Sequence, residues 1–241
     1  MTVAAAINWG LLALEPPGWG GNLLRGLVHT VEISVGAYAL GLTIGLGGAM
    51  GKLAGGPILK SILEGYTTLF RAVPELIMIL LLYYAGTDVL NRTLALWQMG
   101  PMDINGLLAG IYVLGIVQGA YSTEVLRGAI QSIPAGQIEA ACAFGMSGWL
   151  RFRRVVLPAM LPNAVPGLAN LWLNVTKDSA LLAVVGFSEL MLETRQAAGT
   201  SKAYFMFYCA TALLYLMLTQ ISLVGFKWLE RRQRRGQAKL A

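Results

Sequence analysis

Five apolar stretches run through this chain, each long enough to cross a bilayer. They extend from about Leu23 to Met50, Ile58 to Ala85, Ile104 to Leu126, Leu161 to Phe187 and Tyr204 to Trp228. A spanning helix needs roughly 20 mostly apolar residues. A lone segment in lipid must satisfy its backbone hydrogen bonds internally, so each stretch is expected to be helical. The expected fold is therefore an all-α membrane protein with about five transmembrane helices. Only 12% of the 241 residues are charged, against roughly 25% in an average soluble domain. That is too little charge to cover a water-exposed surface. The whole of 1–241 reads as a single transmembrane domain, with no room for a large soluble one.

The first stretch is rich in glycine (Gly36, Gly41, Gly45, Gly47, Gly48 and Gly51). Small residues let spanning helices approach closely. The second contains Pro74, which is expected to kink it.

The net charge is +6. In a soluble protein that would raise the question of nucleic acid. Here it fits the retention of basic residues on the cytoplasmic side of a membrane. With the C-terminus inside, the inner segments hold Lys52 and Lys60, then Arg151, Arg153 and Arg154, then Lys227, Arg231, Arg232, Arg234, Arg235 and Lys239. The outer loops hold Arg92, Arg195 and Lys202. This bias predicts an outside N-terminus, a cytoplasmic C-terminus and a basic cytoplasmic tail at about 229–241. No Lys or Arg precedes Arg25, so no secretory signal peptide is expected. An odd span count and no visible internal repeat argue against a transporter of two equal halves. The single histidine, His29, and the distant Cys142 and Cys209 suggest no metal site and no disulfide framework. His29 reads as a packing or interfacial residue.

The connection at about 133–158 is long and reads as two short helices. Pro134 suits a helix start, and Gly145 suits the left-handed position that ends one. Ser147 suits the cap of the next. In that second helix Trp149, Phe152 and Val156 share one apolar face. Glu139-Ala140-Ala141, then Gly145, then Val155-x-Leu157-Pro158 resembles the EAA loop of ATP-binding-cassette importer permeases. The segments 64–76 and 119–130 are also similar to polar amino-acid permeases, most to the Q-type subunits of histidine/lysine/arginine/ornithine and arginine or opine importers. Ala72 stands where that family usually has glycine.

The resemblance implies a subunit of the bacterial inner membrane, with Glu139, Ala140, Ala141 and Gly145 in a coupling helix that docks on a cytoplasmic ATPase. It implies as partners a second, M-type permease, two ATPase copies and a periplasmic binding protein. ATP and magnesium would be bound by the ATPase chain. This chain has no G-x-x-x-x-G-K-[ST] loop, so no catalysis of its own is expected, and no cofactor.

Ionisable residues inside spans are costly and usually face a cavity or a partner. Arg71 and Glu75 stand four apart in the second span, which predicts one shared helix face. Lys177 and Asp178 are adjacent in the fourth, beside Asn174 and other polar residues. These five are the candidate substrate pathway: carboxylates for a cationic side chain, a cation for the substrate carboxylate. Glu124 and Arg127, near the cytoplasmic end of the third span, read as a structural ion pair. The expected cargo is a polar, cationic amino acid of the histidine, lysine, arginine and ornithine class, with another amino acid or an opine as the alternative. An intramembrane enzyme would need a nucleophile–base or metal constellation, and the chain offers none. A self-contained secondary transporter would leave the EAA-type loop without a purpose.

Overall fold

The structure is a computed structural model, and it describes residues 8–97 and 106–233. All its regular elements there are helical. A 3-10 turn at Trp9–Leu12 precedes α1 (Gly20–Ala54), α2 (Pro57–Ala72), α3 (Glu75–Leu96) and α4 (Gly106–Gln131). Then come the short α5 (Ala135–Ala143) and α6 (Gly148–Arg151), α7 (Leu157–Asp178), α8 (Leu190–Ser201) and α9 (Tyr204–Gln233). Four helical stretches are long and apolar enough to cross a membrane, and the bent pair α2–α3 makes a fifth if counted as one span. The expected start of the third stretch, Ile104, and Arg234, Arg235 and Lys239 of the tail lie outside the described residues.

The central contact is α1 against α4, and the glycines of both helices make it. A Cβ on Gly45 would lie 2.4 Å from the Ser122 Cβ, and one on Gly41 2.8 Å from that of Gln118. Reciprocally, Gly115 and Gly119 accept Leu40 and Ile44 of α1. α7 also packs on α4, where Gly167 leaves room for Val125. A buried apolar cluster of Ile33, Ile79, Val113, Leu114, Val175 and Leu182 joins α1, α3, α4 and α7. α9 leaves Phe205, Ile221 and Val224 exposed along its length, as a lipid-facing helix does.

The second apolar stretch departs from the expected kink. Val73 and Pro74 are extended, and α2 and α3 meet at 118°. Proline has no N–H to continue the ladder, and it pushes the residue before it out of the helical region. A kink therefore becomes a complete break. Arg71 lies in the last turn of α2 and Glu75 begins α3, so the two do not share a helix face.

The fourth span is longer than its apolar core. α6, a π-helical turn at Phe152–Val156, α7 and a 3-10 turn at Ser179–Val184 follow without interruption from Gly148. The second short helix of the 133–158 connection is thus the foot of this span. Pro158 has no N–H to donate, and the turn before it widens, with the Leu157 N–H reaching back to the Phe152 carbonyl. Several basic residues assigned to loops likewise lie on helices. Lys52 is in the last turn of α1, Lys60 in α2, Arg92 in α3 and Arg195 in α8.

The α1–α4 contact yields a paired test. Gly45→Ala places a methyl against Ser122, and overpacking of this kind costs about 1–3 kcal/mol. Gly47 has nothing within 4 Å of its missing Cβ, so Gly47→Ala is expected to be neutral or to stabilise the helix by up to about 1 kcal/mol. Thermal melting of the purified protein compares the two, and equal melting temperatures would refute the close contact.

Candidate translocation site

Two interruptions of regular helix face each other inside the bundle. One is the α2–α3 break at Val73–Pro74, which places Glu75 in the first turn of α3. The other is the change from α-helix to 3-10 helix after Asp178. The carboxyl groups of Glu75 and Asp178 come within hydrogen-bonding reach of each other. The Tyr121 hydroxyl, from α4, donates to Glu75 Oε1 at 3.2 Å. Arg71 and Asp178 both act electrostatically on that tyrosine, and Lys177 acts on Asp178. Glu75, Tyr121, Asn174 and Asp178 are half-buried, while Arg71 and Lys177 are exposed. The structure thus gathers Glu75 and Asp178 with Tyr121, and leaves the two cations at the edge of the cluster. Carboxylates this close repel unless they share a proton or a positive group lies between them.

A separate cavity of about 410 Å³ lies between α3 and α4, lined by Leu82, Tyr83, Gly86, Thr87, Tyr112 and their apolar neighbours. Among the described residues no charged side chain lines it.

A second charged cluster ties α1, α2 and α4 together. Lys52 Nζ donates to Glu64 Oε2 and Glu124 Oε1, each at 2.6 Å, and to Thr67 Oγ1 at 2.7 Å. Arg127 holds the other Glu124 oxygen at 2.7 Å. The Glu124–Arg127 pair is present, but its centre is a lysine whose side chain is only 1% exposed.

The 133–158 connection takes the local form its residues dictate. α5 starts after Pro134 and stops before Gly145, which has φ +69°. Ser147 Oγ accepts from the Leu150 N–H and caps α6. Trp149 and Phe152 stack at 6.0 Å. Glu139, Ala140, Ala143 and Phe144 face outward, Phe144 with 84% of its surface exposed. Ala141 is only 4% exposed, so its small size serves packing within the chain and Ala140 is the outward alanine.

Glu189 is fully buried and caps α8 by accepting from the Leu192 N–H at 2.8 Å. Tyr215 Oη and Thr30 Oγ1 also donate to it, so it links α8 to α9 and α1. The nearby His29 ring makes a hydrogen bond with the Ser188 carbonyl at 3.1 Å. Cys142 and Cys209 are both free and exposed. Among the described residues no group of His, Cys, Asp or Glu is arranged to hold a metal.

Residues 21–235 match the model of the binding-protein-dependent transport system inner membrane component family. The chain belongs to that family. The octopine transport system permease protein OccQ of Rhizobium radiobacter is 37% identical over 227 residues, 94% of this chain and 96% of that one. The histidine/lysine/arginine/ornithine transport system permease protein HisQ of Escherichia coli (strain K12) is 38% identical over 215 residues, 89% of this chain and 94% of that one. A crystal structure of an amino acid ABC transporter with histidines superimposes with a TM-score of 0.73 at 28% identity, covering 89% of this chain and 95% of that one. The protein is thus a multi-pass permease subunit of the polar amino-acid and opine importer type in the bacterial inner membrane, and not a catalytic enzyme.

In this permease the residues that sequence reasoning missed are Lys52, Tyr121 and Glu189. Lys52 sits where apolar sequence gives way to polar, and so reads as a loop charge. Tyr121 is one of nine tyrosines, with nothing local to mark it. Glu189 precedes Leu190-Met191-Leu192, and a polar residue before an apolar run is a helix-start signal that was available.

The Lys52 cluster can be tested by stability. Removing one partner of a buried ion pair costs about 3–5 kcal/mol, because a charge is left uncompensated. Lys52→Met is expected to lower the melting temperature sharply, and adding Glu124→Gln to recover part of the loss. A double variant no more stable than Lys52→Met would refute the pairing as the source of the effect.

Proposed function

We propose that this permease carries a cationic amino acid, of the histidine, lysine, arginine and ornithine class, into the cytoplasm. The observation that carries this reading is the juxtaposition of Glu75 and Asp178, with Tyr121, at two facing helix interruptions. Fixed carboxylates stabilise a cation in low-dielectric surroundings, the more so as water leaves. Arg71 and Lys177 at the edge of the cluster can meet the substrate carboxylate, and Asn174 adds a polar group to the path. Similarity to the octopine permease OccQ supports an opine as the second reading.

The permease works with a second, M-type permease, two copies of a cytoplasmic ATPase and a periplasmic binding protein. Its N-terminus is outside and its C-terminus inside, as the placement of Lys and Arg supports. The outward face of the α5 loop, with Glu139, Ala140 and Gly145, docks on the ATPase. Ala141 supports that face from within.

Two substitutions separate the roles. In the assembled complex, Asp178→Asn keeps the shape of the side chain and removes the charge. Losing one partner of a buried charge contact costs about 2–5 kcal/mol, or roughly 30- to several-thousand-fold. The expected result is that loss in uptake and in stimulation of ATPase activity by arginine, lysine, histidine or ornithine, with basal ATPase rate and melting temperature retained. Stimulation by octopine instead of the amino acids would favour the opine reading. A lowered melting temperature, or unchanged stimulation, would overturn the substrate role.

Ala140→Arg puts a bulky charge on an exposed face of α5 without disturbing the chain's own packing. Recovery of the ATPase with the purified permease is expected to fall, while the permease keeps its melting temperature. Normal recovery would refute docking at this face.

A further inference from the structure

One face of α7 is polar along most of its length. Asn163, Pro166, Asn170 and Lys177 are exposed, with Gly167 and Asn174 half-buried beside them. They recur every three or four residues, which puts them on one side of the helix. None of the large apolar residues of α7 is exposed. α9 does the opposite and turns Phe205, Ile221 and Val224 outward. An amide moved into hydrocarbon loses its hydrogen bonds to water at a high cost, so the exposed face of α7 is not one that meets lipid.

The two ends of this face differ. At one end stand Lys177 and Asp178, with Asp178 against Glu75. At the other, Asn163 Nδ2 donates to Ser132 Oγ at 2.8 Å, beside the turn that leads into α5. The stretch from 163 to 178 covers about 22 Å of helix. Residues 163–176 contain no ionisable side chain. Neither the Asn170 nor the Asn174 side chain has a hydrogen-bond partner among the described residues, so both amides are open to a solute.

We infer that this face is the release lane of the permease, a water-lined strip along which the amino acid passes from the Glu75–Asp178 pair to the coupling-loop end by way of Asn174, Asn170 and Asn163. An amide oxygen accepts from a guanidinium or ammonium group, and an amide N–H donates to a carboxylate. Each asparagine therefore serves both ends of a cationic amino acid. A path must bind its solute strongly enough to admit it and weakly enough to let it leave. Neutral amides after a charged pair supply that fall in strength. A close-packed helix of the second permease fits the face poorly, because a dry contact would bury the Lys177 ammonium and two unpaired amides. The inference rests on the amino-acid reading for its cargo, and on the polarity of α7 alone for its water.

The test uses the assembled complex in nanodiscs, which leave both faces of the membrane open. Single cysteines replace Asn163, Asn170 or, on the apolar face of α9, Ile221, in a Cys142→Ser and Cys209→Ser background. A charged, water-soluble methanethiosulfonate is expected to modify Asn163→Cys and Asn170→Cys and to spare Ile221→Cys. Saturating arginine is expected to slow the reaction at Asn170→Cys. In proteoliposomes Asn170→Leu should lower the maximal rate of arginine uptake by about ten-fold, as the loss of one hydrogen bond to a charged group does. The concentration for half-maximal uptake should stay the same, and Asn170→Gln should recover most of the rate. Modification of the two α7 positions by a lipid-soluble maleimide alone would show a lipid-facing helix, and modification by neither reagent a face covered by the second permease. Either result, or an unchanged rate in Asn170→Leu, would overturn the lane. Protection by octopine in place of arginine would uphold the lane and change only its cargo. An Asp178→Asn complex that still responds to arginine, with Asn170→Cys labelled as before, would count against the carboxylate site and not against the lane.

Discussion

A backbone in hydrocarbon has no water to bond with, and every break in a helix there exposes amide groups that need another partner. Such breaks persist only where protein or a polar cavity receives them. In this permease two interruptions, at Val73–Pro74 and after Asp178, are brought face to face. The irregular backbone is what brings the ionisable groups at the break points together. Glu75 could not meet both Tyr121 and Asp178 from the middle of a straight helix continuing α2.

The rest of the bundle holds that arrangement in place. α1 and α4 touch through glycine, so their backbones are nearly as close as two helices can come, and α4 becomes a fixed post against which α3 and α7 pack. At one end of this post the Lys52 cluster secures α2 to α1 and α4. At α8 the buried Glu189 joins that short helix to α1 and α9. α2 therefore has a charged anchor, whereas α3 leans on α4 by apolar contact. The break between them separates two differently fastened pieces.

Local features were the legible ones. The glycine run in α1 announces close packing, and the Pro134, Gly145 and Ser147 signals give the local shape of the α5–α6 connection. Segment type was readable because apolar length and backbone chemistry leave little choice. Tertiary features were harder to read. Pro74 signals an interruption, but whether a chain kinks or turns through 118° depends on what packs on either side. Arg71 and Glu75 were placed on one face by a periodicity that the break abolishes. Lys52 and Arg92 were assigned to loops because an apolar window ends before the helix does. The meeting of Glu75 with Asp178, about a hundred residues apart in sequence, has no signature short of the fold.

The unbroken run from Gly148 to Val184 spans 37 residues, on the order of 55 Å of helix. It begins one residue after the Ser147 cap and passes through Asp178. One end of a single continuous helical run is thus at the protein's exposed loop, and Asp178, one of the paired carboxylates, lies near its other end. Pro162 and Pro166 lie within it, as do the π-helical turn near its foot and the 3-10 turn after Asp178. A tilt imposed at the foot would move Asp178 relative to Glu75, which rides on a different helix. If a cation is held between the two carboxylates, their separation would follow the angle of that one run of helix.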